Sequence, residues 1–373
     1  MRIGIDAGPV VGGAGGVGTH TTQLLKAMVE QDKEKEFIAY IPTGTMHQLA
    51  AKGSWTSASN VRWVETGRWS LRWRGRMDRL DLFHGPNFKM RTQGRFGGIV
   101  TIHDLWLDRA PEYSAKMFGQ RFSFARTRRT AWRARKVITV SRFSAGEISQ
   151  LYGLPQERIV VIPNGVSDSF SVERDDPAME AMRERMKISP DGYVLFVGGA
   201  DPRKNHGNFL AAAARCRDVW KGLSLVLVGD PIHRFGNYRE SAKAYGLERD
   251  IVCAGRVSPQ ELRLLYSYAQ LFVFPSRYEG FGMPVLEAMA CGAPTITSST
   301  SALPEVAGGA ALLVDPENPD QLAEAITQVL TREELRQDLR AKGLARVKHM
   351  TWHAAAAQTL GLYRDLCAQS VRQ

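Results

Sequence analysis

The segment Pro275–Gly292 constrains the fold of this chain more strongly than any other stretch. It follows Leu271–Phe274, a short apolar run that is typical of a buried parallel strand. Within the segment, Pro284–Ala290 favours a helix, because proline suits the first helical turn and leucine, glutamate, alanine and methionine are strong helix formers. The loop between strand and helix contains Glu279. Loops at the carboxyl ends of strands in an open parallel sheet are ligand sites, so a ligand is predicted to bind here.

Two glutamates and two glycines define the chemistry of this loop. Gly280 and Gly282 allow the backbone to approach a ligand closely, and the first amides of the helix form an anion site that suits a phosphate. Glu279 lies in the loop, and Glu287 is placed in the first helical turn. The two carboxylates are then expected to face different parts of one extended ligand, such as a sugar and a ribose. Alternatively, Glu287 complements the helix dipole and Glu279 is a solvated loop residue.

The stretch E-G-F-G-M-P-V-L-E-A-M-A-C-G resembles the Glu-x7-Glu signature of glycosyltransferase family 4, whose members are retaining enzymes of the GT-B fold. The resemblance implies that Glu279 contacts the donor sugar and that Glu287 holds the nucleotide ribose. It further implies a donor-binding backbone along the diphosphate and sugar, formed by Phe281, Gly282, Met283 and the adjoining Pro284.

The expected fold class is α/β with the GT-B architecture, in which two doubly wound Rossmann-like domains face each other across a cleft. A length of 373 residues exceeds one typical domain, and strand and helix segments alternate in both halves. We predict an N-terminal acceptor-binding domain over residues 1–166 and a C-terminal nucleotide-sugar donor-binding domain over residues 167–350. A terminal helix over residues 351–373 is expected to pack back on the N-terminal domain.

The first predicted strand, Arg2–Asp6, is followed by a predicted Gly-rich loop, Gly8–Gly18, and by a helix from about Thr19. Three glycines of this loop match the dinucleotide pattern G-x-G-x-x-G, namely Gly13, Gly15 and Gly18. NAD binding is nevertheless disfavoured, because six residues separate the strand from the pattern and no acid ends the second strand. In family 4 a GGVG loop faces the donor diphosphate, so the resemblance assigns to donor binding Gly15, Gly16 and Gly18.

A histidine ends another predicted strand, Gly98–His103. A lone histidine is more often structural than catalytic. Here, however, the segment T-I-H-D-L resembles the family motif whose histidine contacts the donor sugar, which points to His103 as a catalytic residue.

Two adjacent cations follow the predicted strand Tyr193–Gly198. Arg203 offers a planar fork of donors and Lys204 a point charge, which together suit a diphosphate leaving group. The alternative is a basic surface pair. The resemblance makes Arg203 and Lys204 catalytic beside His103 and Glu279, and it places Gly198 at the donor.

Another strand end carries two further donor-site candidates. Ser258 begins a capping box that opens the next helix, so Arg256 and Val257 lie where the preceding strand ends. Family members contact the nucleotide base there, which assigns Arg256 and Val257 to donor binding.

Positive charge is concentrated in the first half of the chain. Residues 1–165 contain 25 Lys and Arg against 13 Asp and Glu, whereas residues 166–373 contain 24 against 25. Arg68–Arg79 interleaves arginines with tryptophans, and Arg121–Lys136 is a second basic run. Such segments suit an anionic membrane surface, although a solvated basic face is the alternative. No recognisable nucleic-acid module accompanies the charge, so nucleic acid is not an expected partner.

Several classes of protein are disfavoured by the sequence. The four cysteines are far apart, which argues against a zinc site or a disulfide scaffold and for a reducing, cytoplasmic setting. We find neither a signal peptide nor an apolar stretch long enough to span a membrane. The chain has no Asp-x-Asp motif, so we expect no metal and no cofactor. The leaving group is instead expected to be stabilised electrostatically.

The resemblance implies a retaining hexosyltransferase with a nucleotide-sugar donor. We favour mannose from GDP-mannose, transferred to a polyprenyl-diphosphate-linked saccharide during synthesis of exopolysaccharide or lipopolysaccharide O-chains. Such an acceptor fits an enzyme that is peripheral on the inner face of the cell membrane. Other donors remain open, including GDP-rhamnose, UDP-glucose and UDP-GlcNAc, as do a nucleotide-sugar epimerase and a non-catalytic nucleotide-sugar binder.

Overall fold

The computed structural model of the chain describes residues 1–12, 15–67, 70–110, 117–233 and 236–371. Gly13, the first glycine of the dinucleotide pattern, lies outside the described residues, as do Arg68 and Trp69 of the first basic run. The chain divides into two compact units, one of residues 1–165 together with 350–373 and one of residues 166–349. Each unit is built on its own parallel sheet.

The strands are β1 Arg2–Asp6, β2 Glu36–Pro42, β3 Val61–Thr66, β4 Leu82–Gly85, β5 Gly98–Thr101, β6 Lys136–Thr139, β7 Ile159–Val161, β8 Tyr193–Val197, β9 Ser224–Val228, β10 Ile232–His233, β11 Gly236–Asn237, β12 Ile251–Gly255, β13 Leu271–Phe274, β14 Thr295–Ser298 and β15 Leu312–Val314.

The α-helices are α1 Gly8–Val11, α2 Gly16–Gln31, α3 Leu71–Met77, α4 Trp106–Arg109, α5 Met117–Arg133, α6 Arg142–Tyr152, α7 Asp176–Met186, α8 His206–Arg215, α9 Tyr238–Ala244, α10 Pro259–Tyr268, α11 Met283–Ala290, α12 Leu303–Ala307, α13 Pro319–Thr331, α14 Glu333–Val347 and α15 Trp352–Val371.

The first unit contains a seven-stranded sheet in the order β3-β2-β1-β4-β5-β6-β7, with every neighbouring pair parallel. The direction of strand succession reverses between β1 and β4, which makes that position the topological switch point of the sheet. Helix α15 packs against α2 within this unit. Tyr363 of α15 also reaches the buried His84 of β4, with 2.7 Å between its hydroxyl and Nδ1.

The second unit contains a six-stranded parallel sheet in the order β12-β9-β8-β13-β14-β15. Its switch point lies between β8 and β13. The central strands are apolar and buried on both faces, because helices cover both sides of a doubly wound sheet. Strands β10 and β11 form a separate antiparallel pair. Two doubly wound parallel sheets confirm the expected α/β fold class.

The N-terminal Gly-rich region differs from the prediction. It is not one loop over Gly8–Gly18, because α1 occupies Gly8–Val11 and α2 begins at Gly16 rather than at Thr19. Gly15 caps α2 with φ 135°, a conformation that favours glycine, and its carbonyl accepts the amide of Thr19 at 3.0 Å. The apolar face of α2 is buried, so packing outweighs the low helix propensity of the glycines in its first turn.

Other boundaries differ by one or two residues. The strand predicted over Gly98–His103 ends at Thr101, which leaves His103 in the segment after β5. The strand predicted to end at Gly198 ends at Val197, so Gly198 follows β8. Strands β3 and β4 and the β10–β11 pair were not predicted. Strands β4, β10 and β11 have too few residues for an alternating pattern to be recognised, and the burial of β3 does not alternate.

Gly165, the last residue of the first unit before the second unit begins, lies in close contact with the start of α15. A Cβ atom on Gly165 would lie 2.1 Å from the nitrogen of Trp352 and 2.2 Å from the carbonyl carbon of Thr351. These are backbone atoms of the segment that opens α15, so they cannot move aside as a flexible side chain can.

We therefore expect Gly165→Ala to lower the free energy of unfolding by about 2 to 3 kcal/mol in urea titrations followed by circular dichroism. Gly146→Ala is the matched control, because Gly146 lies inside α6 with no atom within 4 Å of an added Cβ. That change should be neutral or stabilising by up to about 1 kcal/mol. Equal stabilities of the two variants would contradict the prediction.

Candidate functional site

The strongest candidate site lies at the switch point of the second unit. Residues from two loops meet there: the segment between β8 and α8, and the segment between β13 and α11. In open α/β sheets, ligands bind outside the carboxyl ends of the strands at this position. Arg203, Lys204 and Glu279, which the sequence singled out, all come from these two segments.

The segment after β8 is shaped by local hydrogen bonds. The carboxylate of Asp201 accepts the amide of Arg203 at 2.9 Å, which stabilises a 3-10 turn over Pro202–Lys204. Asn205 then adopts a left-handed conformation with φ 63°. Its side-chain amide donates to the carbonyl of Pro275 at 3.0 Å, so the two loops of the site are joined directly.

Glu279 lies at the centre of a buried ion cluster. Its Oε2 accepts a hydrogen bond from a terminal nitrogen of Arg203 at 3.1 Å, and its Oε1 accepts one from Nζ of Lys204 at 2.6 Å. The hydroxyl of Ser276 lies 2.7 Å from the same Oε1. The side chains of Glu279, Lys204 and Arg203 are 9, 14 and 18% exposed, so these charges interact with little screening by water. The alternative of a solvated Glu279 is wrong.

The cluster fixes the protonation of its members. Burial alone would raise the pKa of Glu279, but Arg203 and Lys204 outweigh it and hold that pKa below its usual range. Burial lowers the pKa of Lys204, while Glu279 acts against this shift. Asp201 also pairs with Arg203, with 3.8 Å between its Oδ2 and Nε of the arginine, so two carboxylates balance the two cations. An anion such as a diphosphate can bind Arg203 and Lys204 by replacing part of these carboxylate contacts.

The helix after Glu279 presents its N-terminus at the same loop. Gly282 caps α11 with φ 104°, and a Cβ at this position would meet the side chain of Leu303 at 2.6 Å. Phe281 and Gly282 are buried, and Met283 and Pro284 form the first turn of α11. The first amides of a helix have no intrahelical partner and carry the positive end of the helix dipole, so this turn offers donors to an anion.

Glu287 lies deeper in α11 than predicted. It is the fifth residue of the helix, not part of the first turn, because the helix already begins at Met283. Its Oε2 accepts a hydrogen bond from the hydroxyl of Tyr266 at 3.3 Å. Burial raises the pKa of the Glu287 carboxyl to about 7, and the hydrogen bond from Tyr266 reduces that shift. Because it lies beyond the first turn, this carboxyl does not serve to complement the helix dipole.

The remaining donor-site candidates of the second unit lie at two strand ends. Gly198 follows β8, and an added Cβ would lie 3.1 Å from the side chain of Lys204, so this glycine makes room for the lysine. Arg256 is exposed and Val257 half-buried directly after β12. The assignment of all these residues to a donor stays a prediction.

The first unit has a second candidate site at its own switch point. A cavity of ≈ 500 Å³ is lined by the segment after β1 and the segment after β4. Gly15, Gly16 and Gly18 line it at the N-terminus of α2, and Lys89 and Arg91 line it from the other segment. Asp6 also lines the cavity and pairs with Arg91 at 3.2 Å. The cavity thus combines helix amides with two cations.

Asp6 is the acidic member of this cavity. Burial raises the pKa of its carboxyl, while Arg91, the amide of Gly8 and Lys89 act in the opposite direction. The glycines at the N-terminus of α2 leave the backbone accessible, since nothing lies within 4 Å of an added Cβ on Gly15 or Gly16. An anionic ligand would be received here by amides and cations together.

His103 belongs to a buried group of three histidines in the first unit. Its ring lies edge-on to His20, with 4.6 Å between ring centroids. Its Nε2 lies 2.8 Å from the carbonyl oxygen of Pro86, which can only accept, so Nε2 carries the proton and Nδ1 is left as an acceptor. Burial lowers the pKa of His103, as it does for His20 and for His84, whose pKa is about 3. All three are therefore neutral.

The structure places the predicted residues in two groups. Arg203, Lys204 and Glu279 come into direct contact. Glu287, Gly198 and the first turn of α11 belong to the same unit, whereas His103 and the glycines of α2 belong to the other unit. Among the described residues, no three His, Cys, Asp or Glu side chains form a metal-binding group, and none of the described helices is long and apolar enough to cross a membrane.

Four polar residues at these sites were not predicted from the sequence. Ser276 and Ser301 contact Glu279, Tyr266 contacts Glu287, and Arg91 contacts Asp6. Ser276 could have been found, because it closely follows the predicted strand Leu271–Phe274, whereas Arg91 follows β4, which was not predicted. Tyr266 and Ser301 lie more than 20 residues from their partners in the sequence, and no sequence pattern predicts those contacts.

Two family models match the chain. The model described as Glycosyltransferase Family 4 matches residues 14–170, and the model described as Glycosyl transferases group 1 matches residues 179–346. O-antigen chain mannosyltransferase B of Escherichia coli is 32% identical over 291 residues, which cover 76% of this chain and 74% of that protein. Serotype-specific mannosyltransferase WbdA of Escherichia coli is 29% identical over 224 residues, which cover 59% of this chain and 27% of that protein.

Solved structures share the fold. Sucrose-phosphate synthase from Thermosynechococcus elongatus matches with a TM-score of 0.78 at 20% identity, over 99% of this chain and 100% of that chain. Anabaena Alr3699/HepE, solved in complex with UDP, matches with a TM-score of 0.74 at 16% identity, over 98% and 99% of the two chains. Together with the two parallel sheets, these matches confirm the expected GT-B architecture.

The ion cluster gives a testable consequence for stability. We expect Glu279→Gln to lower the free energy of unfolding by about 3 kcal/mol, because it removes the carboxylate that pairs with both buried cations and leaves Asp201 to pair with Arg203 alone. Glu317→Gln is the matched control, since Glu317 pairs with Arg277 at an exposed site where the two side chains are 60 and 37% exposed. There the loss should stay below about 1 kcal/mol in the same urea titration. Similar losses in the two variants would show that the cluster is not a buried charge network.

The pKa of Glu287 predicts a dependence of stability on pH. A carboxyl whose pKa rises to about 7 in the folded protein, from 4.5, binds its proton more tightly when folded. Its contribution is fully present below pH 4.5 and is lost as the pH rises through 7, by on the order of 3 kcal/mol.

Glu287→Gln lacks this ionisation. Its free energy of unfolding relative to the native protein should therefore rise between pH 4.5 and 7 and stay level above pH 7. Urea titrations across this range test the expectation. A difference between the two proteins that does not change with pH would contradict it.

Proposed function

Because the chain belongs to glycosyltransferase family 4, we propose that it is a retaining mannosyltransferase that uses GDP-mannose. Its hexosyltransferase activity follows from the family and from its mannosyltransferase relatives. The observation that best supports a nucleotide-sugar donor is the buried cluster of Glu279, Arg203 and Lys204 at the switch point of the second unit. A solved protein of the same fold binds a nucleoside diphosphate, UDP.

In the proposed reaction, the donor diphosphate replaces part of the contact that Glu279 makes with the two cations. Arg203 offers paired donors to phosphate oxygens, and Lys204 offers a point charge. The first amides of α11 add donors that are already oriented. Negative charge that develops on the leaving diphosphate is thereby stabilised by the two cations and by the helix amides.

Glu279 has a second task in this proposal. Once the diphosphate engages Arg203 and Lys204, the carboxylate can accept hydrogen bonds from hydroxyl groups of the donor sugar. Its lowered pKa keeps it ionised for this purpose. Glu287, whose pKa is raised to about 7, would accept the ribose hydroxyls through its carboxyl oxygens.

The transfer itself breaks the bond between the anomeric carbon and the diphosphate oxygen. A bond forms between that carbon and the acceptor hydroxyl oxygen on the same face, so the anomeric configuration is retained. The hydroxyl proton passes to the departing phosphate oxygen. None of the carboxylates described at this site is placed as a separate base.

We propose that the acceptor is a polyprenyl-diphosphate-linked saccharide in the synthesis of O-chains or related polysaccharides. The name of a relative that aligns with 76% of this chain, O-antigen chain mannosyltransferase B, supports that class of product. The cations of the first unit's cavity, Lys89 and Arg91, suit the phosphate groups of such an acceptor, while Gly15, Gly16 and Gly18 keep their proposed role at the donor. An enzyme with this acceptor works at a membrane surface, so we propose peripheral association with the inner face of the cell membrane.

A thermal-shift panel of GDP, UDP, ADP and dTDP, each with and without its sugars, tests the donor. We expect a selective upward shift with GDP and GDP-mannose, since a ligand at 100 times its dissociation constant stabilises by about 2.7 kcal/mol. Lys204→Ala should abolish the shift, whereas Lys342→Ala, an exposed lysine of α14, should preserve it. A preference for UDP would contradict GDP-mannose as the donor.

The stereochemistry is tested by proton NMR of the product made from GDP-mannose and a short-chain polyprenyl-diphosphate-linked saccharide. An α-mannoside is expected. A β-mannoside would overturn the retaining mechanism.

A further inference from the structure

Helix α3 presents apolar side chains to solvent on the side opposite its buried face. Its inner face consists of Leu71, which is 1% exposed, and Gly75, where an added Cβ would lie 2.6 Å from the side chain of Thr92. Trp73 and Met77 lie one turn apart on the outer face, and they are 70 and 78% exposed. Gly75 lets α3 pack closely on its unit, and that packing leaves the two large side chains without cover.

This exposure exceeds that of other large apolar side chains in the described part of the first unit. Met46, Leu107 and Trp132 are only 41 to 44% exposed. Single exposed apolar residues are ordinary, but a tryptophan and a methionine paired on one short helix form a protruding wedge. Such a wedge needs a partner that accepts apolar groups.

Positive charge surrounds the wedge. Arg74 and Arg76 of α3 are exposed, as is Arg79 just beyond it. The guanidinium of Arg76 lies 5.9 Å from the ring centroid of Trp73, which keeps a cation beside the apolar surface. The acidic residue at the end of the helix, Asp78, is occupied within the protein by Tyr40 and Arg62.

We propose that α3 is a membrane-docking helix, which lies in the interface of an anionic bilayer with Trp73 and Met77 inserted and Arg74 and Arg76 on the headgroups. Tryptophan favours the membrane interface because one part of its ring system is apolar and its N–H can remain hydrated. The excess of 25 basic over 13 acidic residues in residues 1–165 complements an anionic leaflet. A partner protein would also accept Trp and Met, but it would not by itself require this broad positive charge.

This docking helix extends the proposed membrane association, and it does not depend on which sugar is transferred. The test uses the full chain and vesicles without donor or acceptor, so its result is independent of the transferase reaction. Sedimentation with vesicles of phosphatidylethanolamine and phosphatidylglycerol is compared with sedimentation with phosphatidylcholine alone. The native protein is expected to bind the anionic vesicles at low salt and to dissociate as salt is added.

Two double variants separate the apolar wedge from the charge. Trp73→Ala with Met77→Ala should weaken binding to anionic vesicles about tenfold or more, because both inserted side chains are lost. Arg74→Gln with Arg76→Gln should weaken it about 25-fold, at about fivefold for each arginine. Met46→Ala with Leu107→Ala removes two exposed apolar side chains elsewhere in the same unit and should leave binding unchanged. Circular dichroism verifies that each variant is folded.

A second measurement reports insertion directly. Lipids brominated in the acyl chain should quench part of the tryptophan fluorescence of the native protein. Trp73→Phe keeps an aromatic ring, so binding should persist while that part of the quenching disappears. The proposal is overturned if the wedge variant binds anionic vesicles as tightly as the native protein, or if quenching is the same in Trp73→Phe. It is also overturned if the native protein does not bind the vesicles and binds only an RNA or a protein partner.

Discussion

The buried contact of Glu279 with Arg203 and Lys204 is the interaction on which the second unit's site depends. Two cations on adjacent residues would repel each other, and burial would make each more costly, unless a carboxylate lay between them. The order of the sheet brings that carboxylate from the loop after β13 to the loop after β8. Asn205 then ties the two loops by donating to Pro275. The protein thus holds Arg203 and Lys204 in fixed positions beside their carboxylate partners.

Both units use the same strand order around their switch points, and both place polar groups there. The physical setting of the two sites differs, however. In the second unit the ions are buried and neutralise one another in part. In the first unit Lys89 and Arg91 are exposed, and the glycines at the start of α2 expose backbone amides. A buried, prearranged cluster suits selective recognition at reacting atoms, whereas an exposed basic cavity suits a phosphate-bearing ligand whose remainder extends into solvent or lipid.

Most strands and the loops that carry the candidate residues were predicted from the sequence, because they depend on apolar periodicity and on position after a strand. The strand Leu271–Phe274 is as predicted, and the expectation that Arg203, Lys204 and Glu279 belong to loops at strand ends rests on the same logic. The prediction failed at helix starts: α2 already begins at Gly16, and α11 begins at Met283, which places Glu287 beyond the first turn. Contacts such as Tyr266 with Glu287 depend on how distant elements meet, which no local pattern encodes.

The buried, neutral histidines of the first unit explain why the C-terminal helix α15 belongs to the unit formed by residues 1–165. His84 contacts the hydroxyl of Tyr363 through Nδ1 and the hydroxyl of Thr101 through Nε2. His20 lies against both His103 and Trp352. Buried imidazoles need such partners, because an unpaired ring nitrogen costs free energy away from water. Since Trp352 and Tyr363 belong to α15, the surroundings of His20 and His84 are complete only after this helix has been synthesised. His103 therefore packs on a histidine, His20, whose partner Trp352 is more than 300 residues away in the sequence.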